Sequence, residues 1–175
     1  MNNLQCQFLI PPTTPTHYIT GVYALNLHPP NNTSGDWHFG QVFYYINEND
    51  FDFSVQLAGE DEFCNTNPIY GDYGIYEGIV MVKKLGLIIS PEITEIYIAN
   101  HFRAILDMLY KTIKKYGREI GLQCATDEFL DTTEQKEEVL SQSLKMKPYL
   151  TVPEQLELDK WIVYERTNEY WNGKG

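Results

Sequence analysis

Asp36 and His38 stand two residues apart in the stretch NTSGDWHFG, residues 32–40. An acid beside an imidazole can pass a proton or hold a metal ion. If two strands pair across the turn-forming residues 29–36, His28 joins them. A metal site needs three or four ligands at fixed distances, and that trio is the least that would serve. None of the 4 histidines stands in an HExxH or HxH pattern, so no metal and no cofactor is assigned. The competing reading is a corner. After Gly35 the Asp36 carboxylate can accept from nearby backbone N–H groups, Trp37 buries its ring, and His38 points the other way. The corner is the preferred reading.

His101 lies at the margin of an apolar helical stripe. With Asp36 and His38 around a pocket between sheet and helix, it would make a small enzyme acting on a nucleotide or small molecule. That is the alternative. No GxSxG elbow and no Gly-rich phosphate loop is present, and Cys124 has neither His nor Asn nearby in sequence. The 3 cysteines (Cys6, Cys64, Cys124) form no CxxC pair and suggest a reduced, cytoplasmic protein rather than a disulfide framework.

Charge points to a kind of partner. The net charge is −11, and the first lysine is Lys83. Before it stand Asp36, Glu48, Asp50, Asp52, Glu60, Asp61, Glu62, Asp72 and Glu77, with no Lys or Arg among them. Such a surface repels phosphates and attracts a basic protein. Direct nucleic-acid binding needs a basic stripe, and none is long enough here. No long apolar run predicts a membrane span, and the start MNNLQCQFLIPPTTP lacks the basic region of a secretory signal.

The elements that must position these residues follow from periodicity. With 43% hydrophobic residues the chain can build a core. Residues 17–28, 37–46 and 51–59 alternate or carry β-branched and aromatic runs, and read as strands; 79–89 would hold one or two more. Ser90 and Pro91 suit a helix start, and Gly117 a stop. Ile98, Phe102, Ile105, Leu109 and Ile113 form the stripe of that helix, with Asn100, Arg103, Asp107, Lys111 and Lys114 on its far side. On an exposed face an Arg103–Asp107 pair is worth about 0.2–0.5 kcal/mol. Residues 132–147, capped by Thr132 or Thr133, and 151–171 give two further helices. The expected class is α+β: a small antiparallel sheet from the N-terminal half, packed against a long helix and followed by two more helices. The organisation expected is an extended lead over 1–16, a sheet-plus-helix domain over 17–125, and a helical extension over 126–175 packed on it.

Four segments carry a resemblance. TGVYALNL (20–27), GDWH (35–38), DYGI (72–75) and IANHFRAILDML (98–109) resemble a set of small uncharacterised bacterial proteins. Members of that family carry TGxYALN, a following GDWH, a DYGI-like segment and a helix similar to VANHIRALLDLL, in that order. Phe102 replaces an aliphatic residue of that helix and Ile105 another aliphatic one, changes that a buried stripe tolerates. The lead through Pro15 lies outside the match. Genes of the family often sit beside nucleotidyltransferases of the abortive-infection (AbiE-like) toxin type. The resemblance implies an antitoxin-like partner role and supplies no catalytic residue.

Together these readings predict a protein-binding regulator that restrains a nucleotidyltransferase. Its partner surface would be acidic and tyrosine-rich: Asp36, Asp72, Tyr73 and Tyr76, with Glu60, Asp61 and Glu62 at the rim and Asn100 and Arg103 second. For the tyrosines of 60–78 the other reading is that their rings pack back on their own sheet. A homodimer through the same loop is a third possibility.

Overall fold

The computed structural model describes residues 6–7, 9–29, 45–46, 55–59 and 65–167. The fold is α+β, as its composition of elements predicts. At its centre is α4, His101–Tyr116. The Asn100 side chain caps it by accepting from the Arg103 N–H, and Gly117 ends it in the left-handed conformation. Ile105, Leu106, Leu109 and Ile113 are buried along it, as their spacing predicts.

Against α4 lies a small antiparallel pair, β4 (Ile75–Glu77) and β6 (Tyr97–Ala99), with Tyr76 opposite Ile98. Residues 18–20 run beside β6: the Ile19 N–H donates to the Tyr97 carbonyl and the Ala99 N–H to the Ile19 carbonyl. On their other side the Thr20 N–H donates to the Gln56 carbonyl and the Ala58 N–H to the Tyr18 carbonyl. Two shorter pairs complete the strands among the described residues. β1 (Cys6–Gln7) is antiparallel to β3 (Tyr45–Ile46), and β2 (Leu9–Ile10) is parallel to β5 (Ile88–Ile89).

Four local expectations are corrected. The strand read over 17–28 is extended only at its start; Gly21–Leu25 then forms a short helix, α1, packed on α4. Tyr23, Ala24, Leu25 and Leu27 are all buried, so neither face is polar enough to reveal a period. Residues 79–89 hold the expected strand only at β5; Ile79–Lys84 is a helix, α3, whose β-branched Ile79, Val80 and Val82 read locally as strand. The long helix starts at His101, not after Pro91: the β-branched run from Ile93 to Ile98 favours extended chain, and Asn100 supplies the working cap. Arg103 and Asp107, placed by sequence on the outer side, are inside the protein.

Before β4 in the chain stands α2, Asn67–Tyr70, and after α4 comes α5, Ala125–Phe129. The two further helices are present. α6 (Thr133–Ser143) opens with a Thr132–Gln135 capping box and runs into a 3-10 turn over Leu144–Tyr149. α7 (Val152–Thr167) lays Leu158, Trp161 and Ile162 into the core, and the Trp161 indole N–H donates to the Leu122 carbonyl. Among the described residues no helix is long and apolar enough to cross a membrane. Of the strand expected over 37–46, residues 37–44 lie outside the described residues and Tyr45–Ile46 is strand; of that over 51–59, residues 51–54 lie outside them and Leu57 bridges Ile19 antiparallel.

Candidate functional site

One turn of α4 separates Arg103 from Asp107, which sets both side chains on one face. Here that face looks inward. Arg103 is wholly buried and Asp107 is 3% exposed. Arg103 Nε donates to Asp107 Oδ1 at 2.9 Å. The same oxygen accepts from the Thr66 hydroxyl. Oδ2 accepts from the Tyr18 hydroxyl at 2.9 Å and from the Thr20 hydroxyl at 2.7 Å. Each carboxylate oxygen thus has two donors, which is what a buried charge requires.

The guanidinium is equally engaged. Nη1 donates to the carbonyls of Gly71 at 3.1 Å and Tyr73 at 2.9 Å, and Nη2 donates to Asn67 Oδ1 at 3.1 Å. The Tyr18 and Tyr70 rings lie 5.3 and 5.1 Å from its central carbon, within cation–π range. Burial pushes the Asp107 carboxyl above its usual range, against the pull of Arg103 and the three hydroxyls. Burial also drives the Tyr18 and Tyr70 hydroxyls well above the ordinary phenol range, so Tyr18 remains a donor at neutral pH.

What this arrangement does physically is fix one segment of chain. Residues 66–74 contribute Thr66, Asn67 and two carbonyls to the pair, and Asn67 Nδ2 donates on to the Thr16 carbonyl. The segment is held from the C-terminal side as well. Tyr70 donates to the Gln142 carbonyl, Tyr73 to Glu138 Oε1 at 3.0 Å, and Tyr149 to the Pro68 carbonyl. At Gly74 the chain turns with φ +73°, and a Cβ there would stand 2.7 Å from Asn100 Oδ1 and 2.8 Å from Arg103 Cβ. Asp72, at the tip, is exposed.

The residues read as a partner surface are therefore distributed differently. Asp72 faces solvent. Tyr73 and Tyr76 are half-buried and pack on the core, the second of the two readings for their rings. The Tyr76 hydroxyl has no hydrogen-bond partner among the described residues. Asn100 caps α4, and Arg103 is enclosed with its donors committed to the protein itself. Glu77 also serves internally: its Oε1 accepts from the N–H groups of Ile79 and Ile96. Asp36, His38, Glu60, Asp61 and Glu62 lie outside the described residues.

His101 is in the core rather than at its margin. Its ring nitrogens face the Leu27 carbonyl at 3.0 Å and the Phe129 carbonyl at 3.2 Å. Burial holds its pKa below the ordinary imidazole value, against the pull of the two carbonyls. The ring thereby bridges the ends of α1 and α5. No group of three or more potential metal ligands is assembled among the described residues.

Comparison with family models, with curated proteins and with solved structures gives no significant match. Sequence reasoning passed over Tyr18, Thr20, Thr66, Asn67 and Asp107. A signal for the last was available: Arg103 and Asp107 are the charged residues of IANHFRAILDML, a segment otherwise apolar enough to be enclosed. Hydroxyl partners from distant segments carry no such mark.

A second buried acid lies in α7. Glu165 is inaccessible to solvent, and its Oε2 accepts from the Thr126 N–H at 3.1 Å and from the Thr126 hydroxyl. Oε1 has no partner among the described residues, and burial pushes the carboxyl upward.

Proposed function

We propose that this chain is an antitoxin-like regulator that binds and restrains a nucleotidyltransferase of the abortive-infection type. The observation that carries the reading is the fixed turn over residues 66–74. Arg103 and Asp107 anchor it from within, and Asp72 stands exposed at its tip. A turn ordered before binding loses little conformational entropy on docking, so its contacts count more fully toward affinity. An exposed carboxylate without basic neighbours in the first 82 residues suits a cationic surface, and a polyanion-binding cleft is one.

The resemblance supports the same reading. TGVYALNL, DYGI and IANHFRAILDML meet at the Arg103–Asp107 pair: Thr20 from the first, the Tyr73 carbonyl from the second, and the pair itself from the third. Residues that recur together in a family are then those that hold the docking turn, and the partner contacts are their product.

The test is co-expression with an AbiE-like nucleotidyltransferase, followed by gel filtration at low and high salt. A joint peak that weakens with salt and with Asp72→Lys is expected. Separate peaks at low salt would refute the reading. Asp72 is exposed, so its substitution leaves the fold intact and a lost complex is read as lost contact.

A further inference from the structure

α7 is apolar on two opposite sides. Leu158, Trp161 and Ile162 fill the core, while Val152, Leu156 and Val163 are 72%, 58% and 60% exposed. At about 100° per residue these three fall within roughly 40° of one another. Single exposed apolar residues are ordinary, but three aligned along one helix form a face that water does not solvate well. None of the described residues covers it.

We propose that this face is a self-association surface, occupied by α7 of a second copy running parallel to it. The choice of a second copy rests on charge. Asp159 borders the apolar stripe on one side and Lys160 on the other. In a parallel pair about a two-fold axis between the helices, opposite borders meet. Leu156 then faces Leu156 of the second copy, Val163 faces Val163, and Asp159 meets Lys160 twice. An antiparallel pair that matches Leu156 with Val163 instead keeps each border against itself, with Asp159 near Asp159 and Lys160 near Lys160. Asp159 already pairs with Lys147, and Lys160 with Glu157, but these contacts are at the open surface and leave room for a second partner. Parallel pairing is the arrangement in which apolar and charged groups both find complements.

The contact is one helix face in extent, so association is expected to be modest and to depend on concentration. Light scattering of the full chain should show a mass rising from 20.3 kDa toward twice that value as concentration increases. Leu156→Asp and Val163→Asp each should weaken the association by about tenfold or more. Both positions are exposed, so the variants fold, and circular dichroism checks that they do. Register is tested by oxidation of single-cysteine additions, with the native chain as control. Leu156→Cys should cross-link with itself. A chain that stays at single mass at every concentration overturns the proposal. So does a dimer unaffected by both aspartates, or one that cross-links only when Leu156→Cys is mixed with Val163→Cys.

Discussion

Asp107 Oδ1 lies 2.9 Å from Arg103 Nε, one helical turn away, with both side chains shut off from water. On an exposed helix that pair would be a minor contact. Enclosed, each charge makes the other tolerable, and the energetics of the whole site follow from that dependence.

Removing one member should be worse than removing both. Arg103→Met leaves an uncompensated carboxylate, and Asp107→Leu an uncompensated guanidinium; each is expected to cost about 3–5 kcal/mol. The double variant should cost less than the sum of the two, because no lone buried charge remains. Urea denaturation of the four proteins measures the coupling. Additive losses would show that the two charges are stabilised separately.

The tyrosines should divide by what their hydroxyls do. Tyr18→Phe keeps the ring beside Arg103 but removes a donor to Asp107, for an expected loss of about 1.5–3 kcal/mol since the acceptor is charged. Tyr70→Phe also keeps its ring, and removes a longer bond to a neutral carbonyl, Gln142, for about 0.5–1.5 kcal/mol. Equal losses in denaturation would mean that the carboxylate contact carries no special weight.

Gly74→Ala should damage the turn over residues 66–74. The backbone there sits at φ +73°, and the added methyl would meet Asn100 Oδ1 and Arg103 Cβ. An expected loss of about 1–3 kcal/mol covers the strained conformation. Amide hydrogen exchange should report faster opening of residues 66–74 in the variant. Unchanged protection of that segment would contradict its anchoring through Arg103.

Glu165 gives a pH signature with a definite sign. Burial raises its folded pKa above the ordinary 4.5. The unfolded chain therefore loses this proton first as pH rises. The stabilising contribution is full below the ordinary value and is lost as pH climbs through the folded one. Glu165→Gln stays uncharged throughout, so relative to the native chain it should gain stability between about pH 4 and about pH 7. Urea midpoints at the two values measure this. A gap that does not change with pH would show that Glu165 takes up its proton alike in the folded and unfolded chain.

The sequence by itself determined the α+β class, the apolar stripe of α4, its glycine stop, and the two helices that follow. Those rest on periodicity and end chemistry, which are local: Ile105, Leu109 and Ile113 recur at the helical period, and Thr132 with Gln135 closes a capping box within four residues. It did not determine α1 or α3: α1 is largely buried and loses the polar–apolar contrast that a period needs, and α3 is a short helix whose β-branched Ile79, Val80 and Val82 favour strand locally. Nor did it place Arg103. The pattern of α4 treats any charged residue as outward, and only the approach of Tyr18 and Thr20 from 87 or more residues away, with Thr66 and Asn67 from α2 and its lead, makes an inward charge stable. Local rules report what a residue does to its own helix, whereas the solvation of a buried ion pair is supplied by chain that only tertiary folding brings near.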